Sequence, residues 1–127
     1  VIAMIEFRLR VRDRPGALVK VAEALAGEGI NLLAIAGLVA GRSGANRIVT
    51  DDPARARSVL ECLRIRFEEK EALVVRVADV PGELASILRE LENHLINVES
   101  VYPTSAGGQL ILTVDNTEKA RPLLPLA

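Results

Sequence analysis

Asp13-Arg14-Pro15-Gly16-Ala17-Leu18 sets an acid, a base and a Pro-Gly corner directly before a helical stretch. That order suits one chemistry, the holding of a small molecule that carries both charges. Pro15 fits the first position of a helix, where its missing N–H is not needed. The N–H groups of Gly16, Ala17 and Leu18 then point outward with no intrahelical partner. A helix start attracts anions, an effect of about 0.3–1 kcal/mol at exposed sites. Gly16 has no Cβ, so a ligand can come close to the main chain. Asp13, just outside the corner, can accept hydrogen bonds from an ammonium. Receptors for carboxylate and ammonium side by side are what an α-amino acid requires. The same residues also serve plain structure, because Asp is a common helix cap and Pro-Gly a common turn.

The corner occurs twice. Val11, Asp13, Pro15, Gly16 and Leu18 recur 66 residues later as Val77, Asp79, Pro81, Gly82 and Leu84. The register then holds through Leu25 and Leu91, Ile30 and Ile96, and Asn31 and Asn97. Asn offers both donors and an acceptor, so Asn31 and Asn97 suit a zwitterion as well. The chain reads as one supersecondary unit used twice, with function where the copies meet.

The elements that position these residues follow from hydrophobic period. Met4 to Arg12 alternates, with Ile5, Phe7, Leu9 and Val11 on one face and Glu6, Arg8, Arg10 and Arg12 on the other, a half-buried strand. Leu18, Val21, Ala22 and Leu25 follow at helical spacing, and Gly27 and Gly29 supply the left-handed exit. Asn31 to Val39 is an aliphatic strand that predicts burial on both faces or at an interface. Gly41-Arg42-Ser43-Gly44 turns the chain into a strand over Asn46 to Thr50. Asp52-Pro53 opens a second helix, with Ala56, Val59, Leu60 and Leu63 inward. A short strand over Arg64 to Glu69 closes the first copy. The second copy begins without a linker. It has a strand carrying Leu73, Val75 and Val77, a helix carrying Leu84, Ile87, Leu88, Leu91 and Leu95, a strand from Ile96 to Tyr102, and a strand from Gln109 to Asp115. Asp115-Asn116-Thr117 caps a last helix at a reduced offset of 64, so that Asp51 matches Asp115. Pro122 breaks that helix early. The expected fold is α+β: a ferredoxin-like βαββαβ unit over residues 1–70 and a second over 71–127 that lacks its last strand, each an antiparallel sheet with helices on one face.

Asp-Arg-Pro-Gly-Ala-Leu, a helix, then Gly-Ile-Asn-Leu resembles the ACT domain, the small amino-acid-binding regulatory module. The pattern covers nearly the whole chain twice, as in stand-alone double-ACT proteins. The resemblance implies a sheet extended side by side across two modules. It also implies an amino acid held between the first corner of one module and the second strand of its neighbour. On this reading the site is Asp13, Arg14, Pro15, Gly16, Ala17 and Leu18 with Asn97 reaching from the other copy. The mirror site, Asp79, Pro81 and Gly82 with Asn31, is degenerate. Val80 there replaces the arginine, and Glu83 would repel a ligand carboxylate. Leu95 stands where the first copy has Gly29, which passes the helix exit to Asn93 or His94.

Composition narrows the alternatives. The net charge of −1 gives no field for nucleic acid or an anionic membrane, and Phe7, Phe67 and Tyr102 are the only aromatic residues of 127. An RNA-recognition module needs stacking aromatics on its central strands, and these strands have none. No apolar run reaches the roughly 20 residues of a membrane span, and the N-terminus lacks a signal-peptide layout. A lone Cys62 excludes an internal disulfide, fits a reducing cytoplasm, and reads as a small buried hydrophobe. His94 reads as a helix-end cap, since there is no second His and no metal spacing. Arg55, Arg57, Arg64 and Arg66 alternate with acids as a solvated face. No catalytic constellation or cofactor motif is present. The expected function is a non-catalytic, homodimeric, cytoplasmic regulatory protein binding a free amino acid. The alternative is a structural module that pairs through sheet edges and binds no small molecule.

Overall fold

A computed structural model describes residues 4–12, 16–40 and 43–127. The chain divides into two compact units, one over Met4–Lys70 and the other over Glu71–Ala127. Asp13, Arg14, Pro15, Gly41 and Arg42 lie outside the described residues.

The first unit runs β1 (Met4–Arg12), α1 (Ala17–Gly27), β2 (Leu32–Ala40), β3 (Ser43–Thr50), α2 (Pro53–Cys62) and the opening half of β4 (Arg66–Arg76). Its strands lie in the order β2-β3-β1-β4. β3 pairs antiparallel with both neighbours, Phe7 opposite Ile48 and Ile35 opposite Ile48. Both helices pack on the face that carries Phe7, Leu9 and Ile48, through Val21 and Leu25 of α1 and Ala56 and Leu60 of α2. Phe67 meets Phe7 edge-on at 5.6 Å between ring centroids. The period-two reading of β1 therefore holds for its apolar face. On the other face Glu6 is fully buried, where a half-exposed polar row was expected. The Nε of Arg8 donates to it at 2.8 Å and Arg47 stands 3.7 Å away, so the charge is neutralised where it is covered.

The second unit runs from the closing half of β4 through α3 (Glu83–Asn93), β5 (Val98–Pro103), β6 (Gln109–Val114) and α4 (Thr117–Ala120), ending in a 3-10 turn over Arg121–Leu123. β6 pairs antiparallel with β4 and β5. Its core joins Leu73 and Val75 of β4, Ile87 and Leu91 of α3, Leu112 and Val114 of β6, and Ala120 and Leu124. The expected missing last strand is present as a stub. Leu126 bridges Val75 antiparallel, the Arg76 N–H donates to the Pro125 carbonyl at 2.9 Å and the Ala127 N–H to that of Val74 at 2.8 Å.

Several expectations need correcting. Arg64 to Glu69 and Leu73 to Val77 were expected as separate strands, but Arg66–Arg76 is one unbroken strand. Nothing in its eleven residues can turn the chain, for it contains no Gly, Pro, Asn or Asp. Arg64 precedes it in a left-handed conformation, φ 57°. β2 is the edge strand of its sheet, with Ile35 47% exposed, and is not buried on both faces. Ala22, Leu63 and Leu84 face solvent.

Candidate functional site

Each corner ends on a glycine in the left-handed region. Gly16 has φ 84° and ψ −9° before α1, and Gly82 has φ 91° and ψ −14° before α3. Neither helix start is capped by a side chain. The carbonyls of Gly16 and Gly82 accept the first intrahelical bonds, from Lys20 at 3.3 Å and Ser86 at 2.9 Å. At the second corner the Glu83 N–H donates back to the Val80 carbonyl at 3.4 Å, so the groups a helix start of this kind can offer an anion are the N–H groups that follow it in the first turn. A Cβ at either glycine would meet nothing within 4 Å. Glycine is therefore required here by its backbone conformation rather than by crowding. Gly16 is exposed, and Ala17 and Leu18 are half-buried at the start of α1.

Asn31 and Asn97 are exposed and stand just before β2 and β5. Each is fixed by the aspartate that follows the next strand. The Asn31 N–H donates to Asp51 Oδ1 at 3.0 Å, and the Asp51 N–H returns a bond to the Asn31 carbonyl at 3.1 Å. Asn97 and Asp115 repeat both bonds, each at 3.0 Å. The side-chain amides of both asparagines are left to face solvent. Immediately after each asparagine the ladder slips by one residue, between Leu32 and Ala34 and between Val98 and Ser100.

Within a unit the corner and the asparagine are at opposite ends of the sheet. Arg12 lies opposite Ser43, while Leu32 lies opposite Thr50 at the other end of β3. In the second unit Asn97 precedes β5, whose six residues end at Pro103, about 20 Å of extended chain away. Each asparagine is thus out of reach of the corner in its own unit. The expected pairing of the Asp13–Leu18 corner with Asn97 spans the two units, as does that of Asp79, Pro81 and Gly82 with Asn31.

A cleft of about 350 Å³ lies at the second corner, wholly within the second unit. Val77, Ala78, Asp79, Val80 and Leu84 form one wall, and the β5–β6 hairpin from Pro103 to Leu110 forms the other. The hairpin is held by the Val77 N–H donating to the Gly108 carbonyl at 2.9 Å and by the Thr104 hydroxyl donating to the Ala106 carbonyl at 2.7 Å. No spacing in the sequence marks this cleft, because one of its walls is the hairpin that faces the corner.

The remaining candidates settle individually. Cys62 is exposed, not buried. It is the last residue of α2 and lines a groove with Ala24, Glu28, Arg55 and Val59. His94 caps α3, its Nδ1 2.9 Å from the Glu90 carbonyl. The left-handed exit of α3 falls on Leu95 itself, φ 57° and 89% exposed, rather than on Asn93 or His94. Arg57 grips Glu69 with both arms, Nε and Nη2 at 2.7 and 2.6 Å. That paired hydrogen bond raises the arginine pKa and lowers that of the carboxylate. Among the described residues no group of His, Cys, Asp and Glu could hold a metal ion. Likewise, no helix is long and apolar enough to cross a membrane.

Residues 5–68 match the ACT domain. No curated protein sequence matches the chain. Among solved structures, a protein from Bacteroides thetaiotaomicron is 22% identical with a TM-score of 0.89, over 98% of this chain and 92% of that one. The regulatory subunit of aspartate kinase from Thermus thermophilus, ligand free, is also 22% identical, with a TM-score of 0.68 over 96% and 87%. An aspartate kinase from Clostridium acetobutylicum matches with 12% identity and a TM-score of 0.63, over 95% of this chain and 31% of its own.

Proposed function

The chain belongs to the ACT-domain family, and from that premise we propose that it is a non-catalytic regulatory protein that binds a free amino acid at the corner before α1. The observation that carries this reading is the start of α1 behind left-handed Gly16, where no side chain caps the main-chain N–H groups of the first turn. The ligand carboxylate lies toward those groups, and Asp13 with Arg14 supplies the charged surround. Asn31 stands at the far end of that unit's sheet and takes no part in this corner. Asn97 is the group proposed to complete it. One of the neighbours in fold is a regulatory subunit, and the same kind of role is proposed here.

We further propose that Glu71–Ala127 is a second, divergent ACT-type unit. Four features support it: the matched glycine corners, the matched Asn–Asp clamps, the matched ladder slips, and helix caps from Asp52 and Asn116 at equivalent places. The exposed thiol of Cys62 supports a reducing, cytoplasmic setting. A homodimer is proposed through β2, an apolar edge with no charged residue. That edge also favours the second reading, a structural module without a small-molecule ligand.

A thermal-shift screen against the twenty amino acids tests the proposal. At 100 times its dissociation constant a ligand that binds only the folded state adds about 2.7 kcal/mol, a rise of several degrees. Ala17→Glu copies the acid that Glu83 already places in the first turn of α3. It is compatible with the helix and repels a ligand carboxylate, so it should abolish the response without lowering the melting temperature of the free protein. Asn97→Ala should weaken the response. If the parent protein answers to none of the twenty, the structural reading replaces this one.

A further inference from the structure

The second corner differs from the first in chemistry, and its cleft shows what the difference is for. We propose that the cleft between residues 77–84 and the β5–β6 hairpin is a ligand site of its own, and that it takes a small branched alkyl amine rather than an amino acid. Its volume of about 350 Å³ falls at the small end of the roughly 300–1,000 Å³ typical of ligand pockets. Val77, Val80, Leu84, Pro103 and Leu110 provide an apolar lining, and Val80 is 58% and Leu84 36% exposed. Among the described residues that line it, Asp79 is the only charged one. Val80 stands where the first corner has Arg14, and Glu83 occupies the first turn of α3 where the first corner has Ala17. Every charge at this corner is therefore negative, and the helix start that would attract a carboxylate already has one. An ammonium is attracted to Asp79 and can share the hairpin's carbonyl oxygens, while an alkyl body covers the exposed valine and leucine. An α-amino acid brings a carboxylate to which the corner offers no basic side chain.

The proposal does not rest on the reading of the first corner. Three probes with the same branched body test it: 3-methylbutylamine, 3-methylbutanoate and leucine. In amide-resolved NMR titrations the amine should shift Thr104, Gly107 and Gly108, and the acid and leucine should leave them in place. Asp79→Asn, at an exposed position, should weaken the amine about tenfold or more. Ala106→Phe, an exposed position at the cleft mouth, should block it. Ala17→Glu should leave the amine response intact whatever it does to amino-acid binding, so the two sites can fail separately. The proposal is overturned if the amine moves none of these amides, if 3-methylbutanoate moves them equally, or if the Asp79→Asn and Ala106→Phe proteins respond like the parent.

Discussion

Leu95 and Arg64 both take φ 57°, a region that costs an L-residue roughly 1–2 kcal/mol and a glycine almost nothing. Leu95 is 89% exposed, so its side chain has little packing to lose. Leu95→Gly should raise stability by about 1 kcal/mol, read as a higher urea midpoint with an unchanged slope. An unchanged or lower midpoint would mean that this leucine is held by something more than its backbone. Thr50 makes a second case. It is fully buried and its hydroxyl has no hydrogen-bond partner. At the equivalent position the second unit has Val114, which pairs with Val98 as Thr50 pairs with Leu32. Thr50→Val keeps the shape and removes an unsatisfied group, so it should stabilise by about 1 kcal/mol in thermal melts. Thr50→Ala, which leaves a void, should destabilise.

At the level of elements, α1, α2 and α3 all stop in the same way. Ile30, Ile65 and Ile96 donate backward to the carbonyls of Leu25, Leu60 and Leu91 at 3.0, 3.2 and 2.9 Å, with Gly29, Arg64 and Leu95 as the left-handed residue between. In each case the leucine and isoleucine join one apolar cluster. The pattern of leucine, three residues, a left-handed residue and isoleucine is legible in the sequence. Reading the exit from glycine alone finds the first case and misses the other two, because the isoleucine contact holds the exit even where the residue type disfavours it. Helices and strands with a clean period were legible from that period. β2 was legible as an apolar strand in want of a partner, and it is an edge strand; which of its faces are covered was not legible, since an aliphatic run cannot say. The Arg57–Glu69 pair ties α2 to β4, and its pH dependence has a definite sign. Glu69 titrates below its ordinary value of 4.5 when folded. The stability it contributes is present above that value and is lost as pH falls through the lowered one. The melting-temperature gap between the parent and Arg57→Ala should hold at neutral pH, narrow below about pH 4.5, and close at stronger acidity. A gap that ignores pH would assign the effect to packing of the arginine stem.

For the whole molecule, the internal repeat was the most informative signal in the sequence. It puts a boundary at Lys70 and Glu71, where the chain divides into its two compact units, although β4 runs through that point without a break. The corners were legible as helix starts. The cleft was not, because it depends on a hairpin more than twenty residues further along the chain. The Asn–Asp clamps have a consequence for how the protein behaves in heavy water. Surface amides outside helices and strands ordinarily trade their hydrogen for deuterium quickly. Here Asn31, Asp51, Asn97 and Asp115 are exposed, yet all four main-chain N–H groups are engaged. Two pairs of slowly exchanging amides should therefore stand out on an otherwise fast surface. Asp51→Ala should release Asn31 alone, and Asp115→Ala should release Asn97 alone, which makes each pair a local clock for the opening of the strand entry it guards.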